Sequence, residues 1–224
     1  MPDHRRRPAG KRGAAPGTDT RRHAAGDSAP SDLVPPVQRP ADESGLPTAT
    51  VLVKAKRARP FFGRHPWVLD SAIERVEGAP ADGDVVDLCT HAGAFIGRGL
   101  WNSASRLRVR LYAFDAATPL DAALWRKRVA AAVALRRTLG LDDRTGGARL
   151  VNSEGDDLSG LIVDRYGDWL SVQVTALAMA RRLDALCDAL ESLVSPRGIL
   201  LRGAERGLAK LEGLHLPDRL VRGT

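Results

Sequence analysis

Aromatic residues make up only 4% of this 224-residue chain, cysteine occurs twice, and no long apolar run is present. Each shortage excludes something. Cys89 and Cys187 lie far apart with no C-x-x-C spacing, so neither a zinc site nor a disulfide framework is indicated. No apolar stretch approaches the ~18 residues that a membrane-spanning helix requires. The N-terminus lacks an apolar signal-peptide core, so export is not expected and the cytoplasm is the expected location. The 43% hydrophobic share leans on Ala, Val and Leu and still allows one or two small domains with real cores.

What the chain has in excess is positive charge, +7 net with a pI near 10.1. Such a balance fits a polyanionic partner, with nucleic acid ahead of a membrane surface, or simply an arginine-rich background composition. The charge is not uniform. Residues 1–48 hold eight of the fourteen prolines, no aromatic residue and a net charge of +2, leaving about +5 for the remainder. A segment of that composition cannot bury enough apolar area to offset the entropy of ordering, and a disordered tail is expected there.

From Thr50 to about Asp115 the pattern has period two: Val51 and Val53, then Val85-Val86-Asp87-Leu88 after a Gly83-Asp84 turn, then Arg106–Leu111. Short strands at such intervals predict a small β-barrel over residues 49–116. Strict alternation places Leu107, Val109 and Leu111 toward a core and Arg106, Arg108 and Arg110 on the outer face. Three arginines on one face repel each other unless an anion lies across them or neighbouring acids such as Glu74 and Asp115 balance them. Trp67 reads as a core residue and His65 as a turn residue with a satisfied ring. The stretch Val85–Phe95 imitates a cofactor-binding glycine loop, but strand alternation rather than a helix follows it, and a nucleoside cradle needs the helix.

Between Thr118 and Gly140 the spacing of Leu120, Leu124, Val129, Val133 and Leu135 predicts a basic linking helix of about six turns within residues 117–146, opened by Asp115 or Thr118-Pro119. A small α/β domain over residues 147–214 is then expected. Its strands would be Arg149–Val151, Leu161–Asp164, Trp169–Thr175 and Ile199–Leu201, flanking one helix, Ala176–Val194. The fold class is therefore α+β. Residues 147–167 read GARLVNSEGDDLSGLIVDRYG and gather Glu154, Asp156, Asp157 and Asp164. Those acids could form a hydrolase or metal site, or could satisfy their own loop, with Asp164-Arg165 an ion pair at a turn.

That run resembles the signature of a family of S-adenosylmethionine-dependent methyltransferases acting on large-subunit ribosomal RNA, the cytosine-5 type with an N-terminal PUA domain. It matches at Arg149–Asn152, Glu154, Asp156, Leu158 and Gly160–Gly167. The barrel region resembles the family's PUA domain at Arg64–Val68, Ser71–Ile73, Gly83–Asp87, Gly93, Phe95–Gly99, Asn102, Ser105 and Val109-Arg110. Trp125–Arg128 is similar to its W-R-x-R linker.

The resemblance implies RNA recognition by a loop, a short helix and strand edges, with structured RNA, 23S rRNA above all, as partner. Phosphate contacts are expected from Lys54, Lys56, Arg57, Arg64, Arg98, Arg106, Arg108 and Arg110. Reversing Arg108 is expected to weaken binding and leave stability unchanged. The family's catalytic cysteine follows a proline, and neither Cys89 nor Cys187 does. Its cofactor loop is expected beyond Thr224, with residues 215–224 leading into it. No catalytic, cofactor-binding or metal-binding residue is therefore expected in the chain, and S-adenosylmethionine belongs to the full-length family. A stand-alone RNA-binding protein keeping the PUA and middle domains is the alternative. Leu208, Leu211, Leu214 and Leu216 are expected to form an apolar patch where the catalytic domain would dock.

Overall fold

A computed structural model of the chain describes residues 43–203 and 211–223, so the expected tail lies outside the described residues up to position 42. The architecture is mixed α+β, with two sheets and a long helix between them in sequence. The first sheet contains β1 (Ala49–Val53), β2 (Trp67–Leu69), β3 (Ile73–Glu77), β4 (Val85–Cys89), β5 (Phe95–Trp101) and β6 (Leu107–Ala113) in the order β2-β6-β5-β4-β1-β3. The short helix α1 (Arg59–Phe62) lies between β1 and β2. Only a 3-10 turn, Asp70–Ala72, joins β2 to β3, although these are the two outermost strands. Three residues reach roughly 10 Å, so the sheet must curl until its edges nearly meet. Barrel-like curvature is thus enforced by one short connection.

Helix α2 (Ala122–Thr138) is shorter than the spacing predicts, 17 residues or under five turns. Asp115 does not start it, because its carboxylate turns back to Ala117 N–H and Thr118 Oγ1. Asp121 caps the helix instead, accepting from Leu124 N–H at 2.9 Å. Trp125, Val129, Ala132 and Val133 form the buried face, and Leu135, expected there, is exposed.

The second sheet holds β7 (Gly147–Asn152), β8 (Leu161–Tyr166), β9 (Trp169–Val174), β10 (Gly198–Arg202) and β11 (Arg219–Gly223), in the order β11-β10-β9-β8-β7. The single helix expected over Ala176–Val194 is two, α3 (Leu177–Ala180) and α4 (Leu183–Val194). The break falls at Arg182, whose buried guanidinium donates to the carbonyls of Gly83 and Ala178. Burial lowers its pKa to about 10. Strand β11 and the burial of Leu214 and Leu216 were not anticipated. They place the end of the described chain in the second sheet and its core, and so remove Leu214 and Leu216 from the expected apolar patch. Leu211 alone is exposed, and Leu208 lies outside the described residues.

The two cores explain how β6 behaves. Val109 and Leu111 pack with Val51, Val68, Val86 and Leu88 inside the first sheet. Tyr112, on the opposite face, packs with Trp125, Leu158, Leu161 and the second sheet. The alternation read from the sequence is right, but the face assigned to solvent is covered by the second core along part of the strand. Among the described residues no helix is long and apolar enough to cross a membrane.

Candidate nucleic-acid interface

The eight basic residues expected to meet phosphate divide into two groups. Lys54, Lys56, Arg57 and Arg64 stand exposed on the β1–β2 connection. Residues 54–66 of that connection carry five Lys or Arg and no acid. Phe61, buried in the first core, anchors α1, and Pro60 sits in its first turn. The same helix holds out Arg59, which the sequence reading missed, and Phe62, 63% exposed. The absence of acids from this stretch was the available signal for Arg59. Lys54 Nζ donates to Ser71 O at 2.9 Å, beside the 3-10 turn that also holds Asp70. Arg106 flanks that turn from the other side, exposed and 3.9 Å from Asp70 Oδ2. Lys54 and Arg106 therefore share one rim of the sheet.

Arg98 and Arg110 are corrections to the expected set. Arg98 lies directly across from Asp87 in the β4–β5 pairing and forms a two-pronged bond to its carboxylate at 2.7 and 3.2 Å. Its third contact is Thr118 O at 3.0 Å, and the residue is 5% exposed. Arg110, 6% exposed, donates to Ser159 Oγ and to Glu212 Oε1, both at 3.0 Å. Glu212 also accepts from Asn102 and Ser105, so its carboxylate is held from three sides. Neither arginine can reach a phosphate. Arg108 is intermediate: half-buried, it donates to the carbonyls of Asn102 and Ser103 and lies 5.5 Å from the Trp101 ring centroid.

Trp67 is the opposite case, an expected core residue found 43% exposed. In β2 it is Val68 that points inward, and Trp67 turns its indole N–H to Glu154 Oε1 at 3.0 Å. His65 behaves as read: its Nδ1 accepts from Trp67 N–H at 3.2 Å.

The acidic loop does not assemble a reactive centre. Asp156 pairs with Arg136 of α2. Asp164 pairs with Arg149 directly across the β7–β8 ladder at 2.8 and 3.1 Å, not with Arg165, which reaches Asp142. Burial works to raise the pKa of Glu154, but hydrogen bonds from Ser153, Ser159 and Trp67 outweigh it and hold the carboxyl below its usual range. With Asp156 and Asp164 each committed to an arginine, the hydrolase or metal reading loses its ligands, and the described residues contain no group of acids, His or Cys able to hold a metal.

Both thiols are buried. Burial, with Asp87 and Glu77 nearby, raises the Cys89 pKa, and burial pushes that of Cys187 up to about 12. Protonated and enclosed thiols are poor nucleophiles. The glycine-loop imitation around Gly93 is the turn between β4 and β5, so no helix terminus follows it and these residues do not fit an S-adenosylmethionine cradle.

A groove of about 590 Å³ opens beside the end of the β1–β2 connection, bounded by the end of β6, by α2 and by the 3-10 turn after β7. Arg64 reaches its edge with a left-handed backbone, φ 60°, unusual for a residue with a Cβ.

Residues 51–114 match the family model of the PUA-like domain, which covers the first sheet from β1 to the end of β6. The chain is similar to ribosomal RNA large subunit methyltransferase I of Salmonella arizonae, 33% identical over 182 residues that cover 81% of this chain and 45% of the relative. It is similar to the same-named protein of Escherichia coli O139:H28, 33% identical over 173 residues covering 77% and 43%. A solved Streptococcus mutans protein, provisionally assigned as a SAM-dependent methyltransferase, superposes with a TM-score of 0.63 at 15% identity, over 78% of this chain and 43% of that one. The chain thus spans less than half the length of the curated relatives it matches. It carries a PUA-like domain with five exposed cations on the β1–β2 connection.

Proposed function

We propose that this chain is the RNA-recognition portion of a ribosomal RNA large-subunit methyltransferase of the cytosine-5 type, with structured 23S rRNA as partner. One observation carries the reading. The PUA-like domain presents a 13-residue connection with five exposed cations, an exposed phenyl ring and no acid. Charge of one sign tracks a phosphate backbone, and an exposed ring offers a stacking platform. The reading assigns S-adenosylmethionine and the catalytic thiolate to a catalytic domain outside the described residues, to which the second sheet would dock. The buried, protonated state of Cys89 and Cys187 supports that assignment.

Purified chain titrated with a 23S rRNA fragment at several salt concentrations tests it. With about four phosphates neutralised, the log–log slope should be roughly −3 to −4, at ~0.7–0.9 per contact. The same preparation should transfer no methyl group from S-adenosylmethionine. Salt-indifferent binding, or methyl transfer by this chain alone, would overturn the reading.

A further inference from the structure

Three side chains around the 590 Å³ groove have no hydrogen-bond or ion-pair partner among the described residues, and they come from three different parts of the fold. Arg64 enters from the β1–β2 connection with its guanidinium 5.8 Å from the Phe114 ring centroid. Lys127 stands exposed on α2, six residues past the cap at Asp121. Asp157 closes the 3-10 turn in a left-handed conformation, φ 57°. Its main-chain oxygen accepts from Arg128, and its carboxylate, within electrostatic reach of the same arginine, accepts no hydrogen bond among the described residues. Arg128 is tied down by that bond and by Tyr112 O, so it is part of the wall and leaves Arg64 and Lys127 as the cations without such bonds.

Resting on the RNA reading above, we infer that this groove receives one unpaired nucleotide of the bound RNA. Arg64 and Lys127 hold the flanking phosphates, Phe114 faces the base, and Asp157 accepts from its exocyclic amino group. The volume lies within the ordinary range for small-ligand sites, about 300–1,000 Å³. An ionised carboxylate only accepts, so it matches the amino groups of cytosine, adenine and guanine. Uracil presents carbonyls on either side of a single N–H and is disfavoured there. In a paired A-form stem the remaining amino proton of cytosine or adenine points into a deep, narrow major groove that side chains do not enter, so only an unpaired base presents it to the carboxylate. The groove therefore adds a preference for a bulged or looped nucleotide to the sequence-blind charge of the β1–β2 connection.

The test uses three RNA hairpins of one sequence, with a bulged cytosine, a bulged uracil or no bulge, titrated by fluorescence anisotropy against the whole chain. A single charge-assisted hydrogen bond supports about tenfold discrimination. The bulged cytosine should bind about tenfold tighter than the bulged uracil or the paired stem. Asp157→Asn should erase the cytosine-over-uracil ratio, and Asn tolerates the left-handed backbone, so the variant should keep the fold. Lys127→Ala should weaken the bulged cytosine more than the paired stem. Equal binding of all three hairpins by the unmodified chain, or an unchanged ratio in Asp157→Asn, overturns the inference. If binding is equal yet collapses in Lys56→Glu/Arg57→Glu, the groove assignment alone has failed. If no hairpin binds in a salt-dependent way, the RNA reading has failed with it.

Discussion

The β1–β2 connection and strand β6 are both rich in cations, yet the chain treats them in opposite ways. On the connection, Lys56 and Arg57 face water with no acid in the local sequence. On β6, Arg110 is enclosed against Glu212 and Ser159, and on the paired strand β5 Arg98 is locked to Asp87. A cation exposed without a partner is available to an anion from outside. A buried, paired one is a structural element whose removal leaves a charge without solvent. Basic composition alone does not distinguish them. What does is whether the second core covers the face.

The sharpest way to break that comparison is to remove Arg110. Arg110→Met leaves Glu212 buried beside Asn102 and Ser105 without its cation, and breaking a buried pair costs about 3–5 kcal/mol. Urea denaturation should show a loss of that size, and Arg110→Met/Glu212→Gln should recover part of it. A cost near that of a surface substitution would mean Arg110 is not structural, and the division of the cations would collapse.

The complementary change reverses charge on the connection. Lys56→Glu/Arg57→Glu should lower affinity for structured RNA about tenfold or more at moderate salt and flatten the salt slope by about two contacts. Its melting temperature should stay close to that of the unmodified chain, since neither side chain packs in either core. Unaltered binding would move the interface elsewhere.

Arg108→Glu falls between the two. The sequence alone assigns it to the outer face and expects no stability change. Its bonds to the carbonyls of Asn102 and Ser103 and its position over Trp101 argue for a loss of about 1–2 kcal/mol, with a smaller effect on binding than the connection double variant. A melt indistinguishable from the unmodified chain would return Arg108 to the exposed group.

These cases mark where local pattern is informative. The period-two runs located β4 and β6, and Leu183, Leu186 and Leu190 located α4, because each element carries its own buried stripe. On the connection, Lys54, Lys56, Arg57 and Arg64 were legible as basic residues, while the absence of acids that would have added Arg59 went unread. The burial of Arg98 and Arg110 was not legible, because their partners Asp87, Thr118, Ser159 and Glu212 lie 11 to 102 residues away on other elements. Trp67 was misassigned for a related reason: large apolar residues are usually core, but this one sits on the outward face of a three-residue strand and serves Glu154 across the sheets. Strand β11 lacks any alternation and exists through its pairing with β10. The break at Arg182 arises from a contact with Gly83, invisible within the helix's own sequence. The groove too is a property of three segments meeting, with Arg64, Lys127 and Asp157 unremarkable individually.

The smallest expected effect tests the junction between the sheets. Glu154 has a usual carboxyl pKa of 4.5 and is held below it by bonds from Ser153, Ser159 and Trp67, against the opposing effect of burial. A carboxyl depressed in the folded state stabilises the fold above its unfolded pKa, and that contribution is lost as pH falls through the folded value. Stability should therefore be flat in this respect above about pH 5 and decline below 4.5. Because the side chain is about one-third exposed, the contribution should be under about 1 kcal/mol after solvent screening. Glu154→Gln keeps an acceptor for the Trp67 indole N–H but cannot titrate. Between pH 6 and 3 its melting temperature should fall less steeply than that of the unmodified chain, the two curves converging at the acid end. Parallel curves would show that the hydrogen bonds do not favour the ionised form, and that the bond from Trp67 to the acidic loop is not strengthened by its charge.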